Sequence, residues 1–161
     1  MVRIGGNGMG FDVQKKLENL SWNVNKDLQK KTIKELVENN DYDLQLLVFP
    51  KDKTCWENAA LVLKKKGVQR TVEIVDLLFE RLQDMNWPGT RYILELLYSY
   101  PKDVFIPAFK FALKKAIESE DDLWLDALVF FLYDGFVSQK EVLDSDTEHI
   151  FKQHLSQWIP D

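Results

Sequence analysis

Apolar positions recur along this chain at the three-and-four spacing of amphipathic helices. Val72, Val75, Leu78, Phe79 and Leu82 form one stripe, with Glu73, Asp76, Glu80 and Arg81 on the other side. Phe105, Phe109, Ala112, Leu113 and Ala116 form another, and Pro107 suits the first turn of that helix. Leu28, Ile33, Leu36 and Val37 mark an earlier helix, and Leu143, Ile150, Phe151 and Leu155 a last, capping one. No stretch sustains the period-two alternation of a half-buried strand. Residues 44–49 are the one short apolar run that suits a strand, and Pro50 ends it. The pattern predicts an all-α protein.

A longer period lies over the helical one. Trp22, Trp56, Trp87 and Trp124 are spaced 34, 31 and 37 residues apart. The last three align without gaps. Each is followed three positions later by a small residue (Ala59, Thr90, Ala127), and then by an apolar pair, Val62/Leu63, Ile93/Leu94 and Phe130/Phe131. A recurrence in the low thirties is the length of one two-helix unit, so the chain is expected to stack about four such units as an α-solenoid. Residues 1–15 are expected to form a flexible N-terminal segment, and residues 16–161 one helical-repeat domain. The recurring indoles suit packing wedges between units, or a row of aromatic contacts for a partner.

Helix punctuation agrees with this reading. Thr54 and Glu57 have capping-box spacing, Lys64, Lys65 and Lys66 suit the negative end of the helix they open, and Gly67 stops it. Asn86 is placed to cap the next Trp-led helix, with Pro88 in its first turn, and Pro101 ends that helix after Tyr100. Ser138 and Glu141 form a second capping box.

Composition changes the picture chiefly by exclusion. Hydrophobic residues make up 45% and charged residues 29% of 161 residues, which is globular rather than disordered. The net charge of −5 argues against a duplex-binding face and suits a basic protein partner. A single cysteine, Cys55, allows no internal disulfide and points to a reducing, cytoplasmic setting. The opening residues lack the apolar core of a secretory signal, and the longest apolar run, residues 127–133, is far shorter than the roughly 20 residues that span a bilayer. No membrane association is expected.

The string Gln83-Asp84-Met85-Asn86-Trp87-Pro88-Gly89, with Trp56 and its following Glu57-Asn58-Ala59-Ala60 and the downstream Asp121-Asp122-Leu123-Trp124, resembles a family of uncharacterised bacterial domains over residues 20–135. That resemblance implies HEAT-like helical repeats and carries no established activity. In architecture the chain also resembles the immunity partners of bacterial polymorphic toxins, which would make its partner a toxin domain.

Candidate chemistry is sparse. Asp84, Asn86 and Trp87 place a carboxylate, an amide and an indole at one inter-helix corner, suited to gripping a basic loop; the same residues also suit turn-making and packing. Glu118, Glu120, Asp121 and Asp122 join two helices, and Asp41 and Asp43 occupy an earlier loop; together they are expected to line one acidic edge. Asp144, Asp146 and Glu148 begin like a calcium loop, but His149 stands where glycine is needed and Leu155 where glutamate is. His149 and His154 are five apart, off the shared helix face a metal would need. Cys55 has no histidine nearby in the sequence to activate it, and the glycines of residues 5–10 depart from the dinucleotide fingerprint. The expectation is a non-catalytic protein binder with no cofactor and no metal. The alternative is a HEAT-like nucleic-acid-binding or repair protein using Trp87 with Asp84, and a self-assembling piece built on Phe105, Phe109, Phe111, Phe130 and Phe131 is a third possibility.

Overall fold

The computed structural model describes residues 11–158, with side chains described to residue 153. The described chain is all-helical, and no strand occurs among its residues. Residues 44–49, the strand candidate, instead contain the 3-10 turn Leu44–Leu47, capped by Asp43. The glycine-rich start falls outside the described residues, and helix α1 (Val13–Glu18) begins inside the 1–15 stretch expected to be flexible and runs past it. Phe11 precedes it, stacked on Tyr42 at 5.7 Å between ring centroids.

Helix α2 (Lys26–Glu38) is capped by Asn25, and helix α3 (Trp56–Lys66) ends at Gly67, whose φ of 83° only glycine adopts without strain. The Thr54 capping box does not form. Asp52 caps a 3-10 turn, Lys53–Cys55, ahead of α3, and this leaves the Thr54 hydroxyl to bond Ser21 Oγ at 2.7 Å. Local capping lost here to a tertiary contact.

The stripe from Val72 to Leu82 is not one helix. After the short helix α4 (Val68–Thr71) it breaks into a 3-10 turn (Val72–Ile74), α5 (Val75–Glu80) and a second 3-10 turn (Arg81–Gln83). Val68, Thr71, Val72, Ile74 and Val75 are β-branched and lose side-chain freedom in a helix, and the Thr71 hydroxyl bonds back to the Gly67 carbonyl at 2.8 Å. Helix α6 (Thr90–Ser99) ends before Pro101, as the sequence predicts. Helix α7 (Lys102–Glu118) starts earlier than predicted, so Pro107 is its sixth residue and withholds a donor from the Asp103 carbonyl. Helix α8 (Asp122–Tyr133), short α9 (Gln139–Val142) and α10 (Ser145–Trp158) complete the chain, and the Ser138–Glu141 capping box is present.

Polar contacts give the helices their direction. The start of α2 meets the start of α3 where Asn58 donates to Gln29 Oε1 at 2.9 Å; at their far ends Lys66 donates to the Asn39 carbonyl at 2.8 Å. Glu57 pairs with Arg91, and Lys64 with Glu95, so α3 and α6 also run side by side in one direction. Below them Phe79, Phe105, Phe109 and Phe131 fill a core of mostly edge-on rings, with Phe79 and Phe131 each 5.2 Å from Phe105. Such pairs add roughly 0.5–1.5 kcal/mol each beyond the area they bury.

Candidate functional site

The corner between α5 and α6 is built around a buried arginine. Sequence periodicity puts Arg81 on the solvent side, but it is only 1% exposed. Its guanidinium lies 4.6 Å from the Trp56 ring and 5.9 Å from Phe49, and one nitrogen donates to the Pro88 carbonyl at 2.6 Å. Nε and the other terminal nitrogen have no partner. Burial holds the group well below the usual arginine range, at about 10. Trp56 and Trp87 meet edge to face at 5.3 Å, and Phe49 touches both. The Lys53 ammonium sits 5.3 Å from the Trp56 ring.

The residues singled out at this corner make the turn itself. Asp84 accepts from the Asn86 amide at 2.8 Å, and its carbonyl accepts from the Trp87 amide at 3.1 Å. The Trp87 carbonyl takes the Thr90 hydroxyl at 2.7 Å. Asn86 is exposed and caps nothing, because α6 begins only at Thr90, after Gly89. Gly89 has φ 85°, and a Cβ there would stand 2.7 Å from Ala60 Cβ and 2.9 Å from the Trp56 carbonyl oxygen. Backbone lies directly on backbone at this point, and the helix starts only once the glycine has made the approach.

The second acidic segment closes α7 and opens α8. The Glu120 amide donates to the Ile117 carbonyl and the Asp121 amide to Ala116, the paired bonds of a Schellman ending. Glycine normally takes the left-handed position there; here Glu120 does, with φ 53°. Asp121 caps α8 through the Trp124 amide at 3.0 Å, and Glu118 lies 4.0 Å from Lys114. Trp124 donates its indole N–H to the Phe79 carbonyl at 2.9 Å, which fixes this loop beside the Phe79–Gln83 turn and hence beside the Asp84 corner.

Asp41 and Asp43 are elsewhere. The start of their loop, at Asn39 and Tyr42, lies by Lys66 at the end of α3, while Asp43 also borders a cleft with Asp52 and Cys55 ahead of α3. Lys66 spans the Val37 and Asn39 carbonyls there, and Asp43 accepts from the Gln45 amide at 2.9 Å.

Sequence reasoning named Phe130 as a contact for self-assembly but missed Leu123 and Tyr133, which complete the face that joins the acidic loop. Leu123, Phe130 and Tyr133 are 66%, 41% and 58% exposed, and on α8 they alternate with Asp122 and Asp126 along one side. The helix contains no lysine or arginine. The signal was present in the heptad spacing of Leu123 and Phe130, but the surrounding run is apolar enough to read as core throughout. The tryptophans likewise divide: Trp56 and Trp124 are buried wedges, Trp87 is partly buried and Trp22 half exposed.

Residues 46–157, well over half of the chain, match the domain of unknown function DUF5071, and the chain belongs to that family. The Gln83–Pro88 string lies inside the match, which starts later and ends later than the resemblance read from sequence. No curated protein and no solved structure matches the chain. No helix among the described residues is long and apolar enough to cross a membrane.

Proposed function

We propose that the chain is a non-catalytic, protein-binding stack of two-helix units that grips a basic partner in the cytoplasm. Its concrete form is a bacterial immunity protein that neutralises a cognate toxin domain. The gripping surface is the outward face of α8 with the acidic loop that enters it, Glu118, Glu120, Asp121 and Asp122.

The observation that carries this reading is the exposed stripe of Leu123, Phe130 and Tyr133 continuous with the acidic loop that enters α8. Apolar side chains left in water on one helix face mark a surface that something covers. The acidic setting speeds encounter with a basic partner and repels acidic ones. Support for stacked units comes from contacts at a recurring separation: Gln29 with Asn58, Glu57 with Arg91 and Tyr98 with Asp134 are 29, 34 and 36 residues apart.

The test starts from the protein that co-purifies with the chain from its source cells, identified and then titrated in purified form. Phe130 is 41% exposed, so covering the rest of it is worth roughly 1 kcal/mol; Phe130→Ser should weaken binding about fivefold, and charge reversal at Glu120 and Asp122 should slow association in low salt. A partner that binds these variants as tightly as the wild type sinks the surface. For the immunity form, co-expression with the neighbouring gene's product should restore growth that the product alone arrests; continued arrest would remove that form.

A further inference from the structure

A cleft of about 530 Å³ opens where α1 meets the two 3-10 turns before α3. Its floor is apolar, with Leu46, Phe49 and the buried Cys55, while Glu18, Asp43 and Asp52 bring three carboxylates to it against one cation, Lys51. Leu46 and Phe49 are each 39% exposed. Phe49 is nonetheless held in place, since its ring meets Trp56 at 5.6 Å and Trp87 at 6.0 Å. The floor is therefore preformed.

Asp52 is fixed by the turn it caps, and Glu18 lies at the surface 3.9 Å from Lys15. The amide and hydroxyl of Thr54 hold the Asp52 carboxyl below the usual range, so it is ionised at neutral pH. Burial, and then the charge of Asp52, push the Cys55 thiol up, which makes it a neutral lining group and not a nucleophile. The volume lies within the range of sites that enclose a ligand group. An acidic occupant would face three carboxylates, and a purely apolar one would desolvate them without return. A large apolar side chain flanked by cations satisfies both the floor and the rim.

We infer that this cleft binds a short cationic segment of a partner protein, with one large apolar side chain seated on Leu46 and Phe49 and flanking Lys or Arg groups meeting Glu18, Asp43 and Asp52. The inference rests on the protein-binding reading above for its class of partner but uses a different surface, so each can fail alone.

The probe is a fluorescein-labelled Lys-Arg-Leu-Phe-Arg-Lys peptide, with Glu-Glu-Leu-Phe-Glu-Glu as control, titrated against the full chain by fluorescence anisotropy. The cationic peptide should bind saturably and the acidic one should not. Leu46→Asp should weaken binding about tenfold and Glu18→Lys about threefold, whereas Phe130→Ser should leave it unchanged. Both cleft substitutions are at the surface, and thermal melting confirms that the variants fold. Amide shifts in the wild type on adding peptide should concentrate in residues 43–55, which locates the contact without any variant. Equal binding of the two peptides, undiminished binding by Leu46→Asp, or shifts confined to α8 would each overturn the proposal. So would self-association that buries Leu46 and excludes the peptide.

Discussion

The corner around Arg81 and the ending of α7 at Glu120 are both turns between helices, and they are built in opposite ways. At the corner the chain is held from several sides: Gly89 lies on α3, Pro88 accepts from Arg81, the rings of Phe49 and Trp56 lie over the cation, and Trp87 packs edge-on against both rings. At Glu120 the chain forms the same kind of sharp reversal with a residue that strains in it, and leaves the side chain in solvent. The first turn spends its chemistry on packing, the second keeps a carboxylate pointing outward at a conformational cost. A non-glycine residue held in the left-handed region next to an uncovered apolar face is where function is worth seeking.

The comparison breaks most visibly through the tryptophans. Trp124→Ala, which empties a buried site under the acidic loop and orphans the Phe79 carbonyl, should cost about 3–5 kcal/mol in denaturant unfolding. Trp22→Ala, at a half-exposed indole of the same sequence period, should stay within about 0.5 kcal/mol. Equal costs would mean that the four indoles are equivalent wedges after all. Next in size, Gly89→Ala should destabilise by about 3 kcal/mol, since the left-handed strain adds to a clash with backbone that cannot turn aside.

Alkali separates the regions by sign. Arg81 has its pKa lowered by burial to about 10, so its penalty is present in full below pH 10 and is relieved as pH climbs toward arginine's ordinary range. Tyr42, Tyr98 and Tyr100 are shifted up, chiefly by burial, so the stability they contribute is intact below the ordinary tyrosine range and is lost as pH rises through it. Three losses against one gain predict a falling melting temperature above pH 10. Arg81→Met should make that fall steeper, and an unchanged slope would remove Arg81 from the balance. The smallest effect is expected at Glu120, where Glu120→Gly should stabilise by about 1 kcal/mol or less in thermal melts while weakening partner binding.

What the sequence revealed follows from how local each signal is. The all-helical class, the stop at Gly67, the break at Pro101 and the Ser138–Glu141 box were legible because each depends on a few neighbouring residues. Arg81, Thr54 and Asn86 were misread for the converse reason. Arg81 faces inward because two rings distant in sequence, Phe49 and Trp56, lie over it, Thr54 bonds Ser21 across 33 residues, and Asn86 gives way to a glycine whose position is set by α3. Charged and capping residue types carry a prior for the surface, and only the fold supplies what overturns it. The α8 face was hidden differently: a helix apolar nearly all round reads as buried on every side, and exposure of one side depends on what fails to pack there.

The ring cluster at the corner also gives the molecule a native optical gauge. Phe49 touches the indoles of Trp56 and Trp87 on one side and lines the cleft on the other. Indole emission depends on the polarity and mobility of its immediate surroundings, so a guest that dries or tilts Phe49 should shift the glow of the whole chain, with no dye attached.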